Sequence, residues 1–319
     1  MKECIQLTVK SLKSLWGREP FQTLLTYALI FAIVLGFYFG TPLVLDTEYP
    51  ALTVASTSML PTLNVGDLII VQKVDPAYIR ADRLTGDILV FRNPRNPEEF
   101  IVHRAVKKEK VGGYYLITTL GDYSKYGEKD QFSPWNSSLL IGKVIARIPY
   151  IGNLPLLVHA EKDMYILLLT TLAILFILML VFSFGEGGQE DKKEESMRKA
   201  DLQIAFFIII NLLIVGFLVF SLFGTFTFPQ PGATPQEATI RGMYADLEFH
   251  KNYTGAEPFL TLGFLHYRID LLFAEGVRLG VPTFSWAQVA ILALITFNAW
   301  KIIDFVRNIK ALKAINLKP

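Results

Sequence analysis

Cysteine is almost absent: of 319 residues, only Cys4 carries a thiol. One cysteine excludes an intrachain disulfide, a cysteine-based zinc site and a CxxC redox pair. Histidine is scarce too, limited to His103, His159, His250 and His266, so histidine-dependent chemistry has few addresses. Charged residues make up only 19% of the chain, below the quarter usual in soluble domains. They are balanced, 31 basic against 29 acidic, which gives no basic excess for nucleic acid. No P-loop, dinucleotide fingerprint or tight metal-ligand spacing occurs, so no cofactor and no metal is expected. No internal repeat is present.

Hydrophobic residues, by contrast, reach 52%. Four apolar runs are long enough to cross a bilayer, which takes about 20 residues. They predict spans at 21–45, 165–184, 202–226 and 284–303. The last is the weakest, carrying Gln288 and Asn298, with Trp286 and Trp300 near its ends. Lys and Arg set the orientation, since they accumulate on the cytoplasmic side. The N-terminal segment carries four, the 185–201 connection four and the C-terminal segment five, against four in the much longer 229–283 stretch. The expected layout is therefore a cytoplasmic N-terminus at 1–20, an extracytoplasmic domain at 46–160 and a charged cytoplasmic linker at 185–201. An extracytoplasmic loop of unassigned role follows at 229–283, then a basic cytoplasmic tail at 304–319. The sequons at Asn136 and Asn252 both fall in the outside segments. The 21–45 run exceeds a cleaved signal's apolar region of 7–15 residues and reads as a signal anchor.

The outside domain consists of short β-type runs: Asp67–Val74, Asp87–Arg92, Phe100–Lys107, Tyr114–Leu120 and Leu139–Arg147. Gly-Asp and Gly-Gly pairs punctuate them. The fold class expected is a membrane protein with a small, mostly antiparallel β catalytic domain and about four transmembrane helices.

Within that domain, Ser58 lies just before Pro61, about 12 residues after the first span. Twelve extended residues reach at most about 40 Å, which keeps the hydroxyl near the membrane face. Taken alone, a serine ahead of a proline is turn chemistry. His103, in the strand-like Ile101–Val106, is the only histidine in the body of the domain. Imidazole can act as the base a serine needs to become a nucleophile. Asp122, Glu128 and Asp130 form a polar loop that could orient the imidazole. Each of the three is also an ordinary turn or loop residue.

Together these segments resemble type I signal peptidases. Ser56-Thr57-Ser58-Met59-Leu60-Pro61-Thr62 is similar to the family's S-x-S-M-x-P-T signature. Gly66-Asp67 and Gly86-Asp87 are similar to its Gly-Asp strands, and Gly121-Asp122 to its last catalytic box. His103-Arg104 stands where bacterial members have Lys-Arg, which points to the archaeal and endoplasmic-reticulum type. The resemblance covers about residues 25–160. It implies a serine endopeptidase that removes N-terminal signal peptides after small residues at the outer membrane face, working through an acyl-enzyme. Ser58 would be the nucleophile and His103 the general base. Ser56 and the Ser58 backbone N–H would form the oxyanion hole. The family's second aspartate falls six residues after the first, where this chain has Glu128. A two-residue insertion would make Asp130 the orienting acid, with Asp122 in support and Glu128 as the alternative. The implied partners are preprotein signal peptides and the lipid bilayer, with the C-terminal half free to bind membrane partner subunits. The rival expectation is a catalytically inactive relative serving as a membrane scaffold or assembly subunit. A transporter is disfavoured, because the spans lack intramembrane charge.

Overall fold

The structure is a computed structural model. It describes residues 28–123 except 30, 33–34 and 37–38, then 130–153, isolated positions at 156, 166, 170 and 173, and residues 192–229 and 235–316. Of the expected span at 21–45, residues 28–29, 31–32, 35–36 and 39–45 are described and are helical; the expected span at 165–184 lies outside the described residues except for 166, 170 and 173.

Eleven strands form one sheet. β1 (Ala51–Thr53) pairs with β2 (Leu68–Gln72), and β2 with β7 (Leu140–Ile148). β3 (Ile88–Asn93) lies between β7 and β4 (Asn96–Val111); β5 (Tyr114–Leu120) and β6 (Trp135–Asn136) follow outward. All five strands read from the sequence are present within a few residues of their expected bounds, and the pairings among them are antiparallel. β3 has neighbours on both edges, and Ile88, Leu89, Val90 and Phe91 are all buried. A strand covered on both faces needs such a continuous apolar run rather than alternation. β2, by contrast, alternates buried and half-buried positions, as a strand with one covered face does.

The 229–283 stretch is not a separate loop. It contains β9 (Glu237–Arg241), which forms a hairpin with β8 (Thr225–Pro229). It then supplies β10 (Glu257–Leu262), β11 (His266–Phe273), β12 (Gly276–Arg278) and β13 (Thr283–Phe284) to the main sheet. β13 pairs with β7 at Thr283 and Arg147, a parallel contact. One hydrophobic cluster holds Val54, Met59, Leu63, Ile69, Val71 and Val90 together with Val281 from this later segment. Met59 and Leu63 are completely enclosed, so truncating Leu63 to Ala costs about 2–5 kcal/mol by lost transfer energy and cavity formation.

Besides the helical residues before β1, three helices follow later in the chain: α1 (Lys192–Phe223), α2 (Met243–Thr254) and α3 (Trp286–Asn316). α2 ends at Gly255, whose φ of +68° is the left-handed conformation that glycine adopts without strain. Ile204–Phe223 in α1 and Trp286–Arg307 in α3 are long and apolar enough to cross a membrane. Asn298 Nδ2 donates to Asn211 Oδ1 at 2.7 Å across this helix pair, and Phe207 stacks on Phe297. A polar link of this kind stabilises helix pairs in an apolar medium.

Candidate active site

Ser58 opens the turn that follows β1. Two backbone bonds, Leu60 N–H to Thr57 O at 3.1 Å and Leu63 N–H to Met59 O at 2.9 Å, coil the chain here. Met59 and Leu63 point into the core, which leaves Ser58 half-buried on the other side. Its hydroxyl lies 3.2 Å from the Ser56 hydroxyl. The hydroxyls of these two expected site residues are thus adjacent.

His103 is carried by β4 opposite Leu89 of β3. Its Nδ1 is hydrogen-bonded to Asp130 Oδ2, and both side chains are nearly enclosed. An ionised carboxylate only accepts, so Nδ1 carries the proton and Nε2 keeps the basic lone pair. Nε2 faces Gly121: a Cβ on that glycine would lie 3.2 Å from Nε2 and 2.5 Å from the Ser58 carbonyl oxygen. Glycine at 121 is what allows the imidazole and the serine turn to share this space. Tyr123 N–H, two residues on, donates to the same Ser58 carbonyl at 3.1 Å. No hydrogen bond joins Ser58 Oγ to His103 among the described residues. Such bonds are commonly long before substrate arrives.

Asp130 is itself positioned. Thr119 Oγ1 donates to its Oδ2 at 3.2 Å, and Ser133 N–H to its carbonyl at 2.9 Å. Trp135 Nε1 donates to Thr119 Oγ1 at 3.0 Å. Indole is only a donor, so the threonine hydrogen is left for an acceptor such as Asp130. Trp135 stacks on Phe91 with centroids 4.1 Å apart. A rigid aromatic pair therefore backs the carboxylate.

Asp122 has different neighbours. It forms a two-pronged pair with Arg104, Nε to Oδ1 at 2.8 Å and Nη2 to Oδ2 at 2.7 Å. It also accepts from the Thr62 hydroxyl. Burial alone would push the Asp122 carboxyl up, but the Arg104 guanidinium holds it below the usual carboxylate range. Arg104 also donates to Gly86 O at 2.9 Å and Leu279 O at 3.1 Å. Asp122 thus ties Thr62, four residues after Ser58, to the strand that bears His103. The structure brings Ser56 to Ser58, Asp130 to His103, and Asp122 to Arg104. Glu128 lies outside the described residues. Sequence reasoning missed Thr62, Thr119, Trp135 and Gly121 as partners. Only the glycine carried a signal, as half of a Gly-Asp pair.

No group of three or more His, Cys, Asp or Glu side chains suited to a metal exists among the described residues.

Residues 21–107 match the family described as signal peptidase, peptidase S26. This match, together with the relatives below, supports a likeness to signal peptidases of the endoplasmic-reticulum type. Ser58 and His103 fall inside the matched residues; Asp122, Glu128 and Asp130 fall beyond them. Similar proteins include the signal peptidase complex catalytic subunit SEC11 of Metarhizium acridum, 25% identical over 165 residues. That alignment covers 50% of this chain and 94% of the relative. The SEC11 subunit of Dictyostelium discoideum is 29% identical over 162 residues, covering 49% of this chain and 87% of the relative. The subunit from Colletotrichum graminicola is 29% identical over 144 residues, covering 44% and 81%. These likenesses support a peptidase hydrolase concerned with signal peptide removal.

Proposed function

We propose that the chain is a membrane-bound serine endopeptidase that removes N-terminal signal peptides from secreted preproteins, cutting after small residues at the outer membrane face. In this mechanism His103 Nε2 takes the proton from Ser58 Oγ, and the oxygen attacks the scissile carbonyl. The Ser58 N–H and the Ser56 hydroxyl receive the developing oxyanion. Protonated His103 then gives its proton to the leaving amine, and water attacks the acyl-enzyme with His103 again as base. Asp130 holds the imidazole in the tautomer that leaves Nε2 basic. Asp122 does not act on the imidazole; paired with Arg104 and Thr62, it fixes the distance between the two catalytic segments. Burial on both sides of the site, with Met59 beneath and Phe91 behind, favours preset geometry over reorganisation during reaction.

One observation carries this reading. The His103–Asp130 pair directs the free imidazole nitrogen at Gly121, over which the Ser58 carbonyl also lies. The peptidase domain is assigned to the extracytoplasmic side with both termini cytoplasmic, from the Lys and Arg distribution. The two apolar helices are consistent with insertion. The relatives are named as subunits of a complex, and by that likeness this chain works beside membrane partners through its C-terminal half. The test is cleavage of a secretory preprotein by the purified full chain in detergent and in lipid, with the new N-terminus sequenced. A cut after a small residue is expected. Failure to cut several preproteins in both media overturns the reading in favour of an inactive scaffold.

A further inference from the structure

The matched family residues end at 107, yet the second half of the chain reaches the turn that carries Ser58. That turn closes at Asn64, whose N–H donates to Asp67 Oδ2 at 2.8 Å. Both ends of the Asn64 side-chain amide are bound by the second half. Nδ2 donates to Asp246 Oδ1 at 3.0 Å, and Oδ1 accepts from Arg241 Nη1 at 3.5 Å. Asp246 is on α2 and is only 2% exposed. Its other oxygen is paired with Arg147, which also donates to Asp67 Oδ2 at 2.8 Å and to Thr283 Oγ1 at 2.7 Å.

One guanidinium thus serves two buried carboxylates. Burial pushes Asp67 up, and the Arg147 attraction offsets this only in part. Burial would do the same to Asp246, but Arg147 and the Asn64 amide help to hold it below the usual carboxylate value. A buried carboxylate kept ionised is a fixed, strong acceptor. It is therefore suited to holding Asn64 in one place.

We propose that α2 is a built-in positioning element for the peptidase site, and that Asp246 acts by holding Asn64 and, with it, the Ser58–Asn64 turn. This rests on the proposed peptidase activity and deepens it. The turn is tethered at three points: Ser58 O to Tyr123 N–H, Thr62 to Asp122, and Asn64 to Asp246. The first two tethers come from the peptidase half and the third from α2. Misplacing a reacting group by about 1 Å costs on the order of 100-fold in rate. Loss of the third tether acts on kcat, because Asn64 lies in the core and touches no substrate.

The test uses the full chain in detergent. Asn64→Ala removes the amide while leaving the Arg147–Asp246–Asp67 pairs in place, and Asn64→Ser is the milder second variant. Thr283→Val is the control: it removes a buried acceptor from Arg147 without touching the turn. Expected for Asn64→Ala is a fall in kcat of about 10-fold or more, KM within about two-fold, and faster amide hydrogen exchange confined to residues 59–66. Asn64→Ser changes kcat in the same direction by less. Thr283→Val lowers Tm and leaves kcat unchanged. The proposal is overturned by unchanged kcat and exchange in both Asn64 variants, or by an equal kcat loss in Thr283→Val. If the parent chain cuts no preprotein, the peptidase reading fails and the exchange pattern alone decides: local acceleration supports the tether and its absence refutes it.

Discussion

Replacing Gly121 with alanine adds one methyl group at the point where the two catalytic segments meet. That methyl would lie 2.5 Å from the Ser58 carbonyl oxygen and 3.2 Å from His103 Nε2. The first distance is about 1 Å short of ordinary van der Waals contact. Because the oxygen belongs to the backbone, no rotamer change relieves the clash; the serine turn or the strand end must move. The turn cannot move far, because Met59 and Leu63 lock it into the core. A displacement of about 1 Å at a reacting group costs on the order of 100-fold in rate, equivalent to about 2.7 kcal/mol in the barrier. Overpacking of this kind also destabilises the fold by about 1–3 kcal/mol. The assay is steady-state cleavage of a preprotein, with kcat separated from KM and Tm measured in parallel. Gly121→Ala is expected to lose about 100-fold in kcat while remaining folded at the assay temperature. Full activity in a folded Gly121→Ala chain would refute the shared-space geometry and with it the pairing of Ser58 and His103.

Asp130→Asn leaves the shape of the site but removes the acceptor-only partner of His103 Nδ1, and a loss of about 10⁴-fold in kcat is expected in the same assay. Asp122→Asn leaves the almost fully enclosed Arg104 guanidinium without its counter-charge. A destabilisation of about 3–5 kcal/mol is expected by denaturant unfolding. Thr119→Val strands the buried Trp135 N–H, costing about 1–3 kcal/mol, and lowers kcat through Asp130. Burial depresses the His250 imidazole, against the pull of the Asp246 carboxylate. The unfolded chain takes up a proton near pH 6.5 that the folded chain refuses, so stability falls as pH drops below about 6.5 by up to about 1.4 kcal/mol per unit. Tm measured from pH 7.5 to pH 5 should fall less steeply in His250→Gln than in the parent.

The local elements were legible because their signals are local. Strands β2, β3, β4, β5 and β7 announce themselves as apolar runs bounded by Gly-Asp and Gly-Gly pairs. Ser58 and His103 stand out because the spacing around the serine is distinctive and histidines are few. Asp130 was reachable only by allowing two extra residues in its loop. The partnership of the two halves was not legible. β13 is two residues long and joins β7 across more than a hundred residues, so no local periodicity marks it. Arg147 reads in sequence as an ordinary charge at a strand end, and Asp246 as one acid in a loop of unassigned role. Only the fold shows that they are buried against each other. Glycine at 121 looked like turn punctuation, whereas its role is to make room.

The most direct test of the central claim is preprotein cleavage by the Ser58→Ala chain beside the parent, both purified as full-length protein and both confirmed folded by equal Tm. If Ser58 is the nucleophile, the parent releases the signal peptide and the Ser58→Ala chain does not. Cleavage at the parental rate and at the same bond by the Ser58→Ala chain would contradict the assignment.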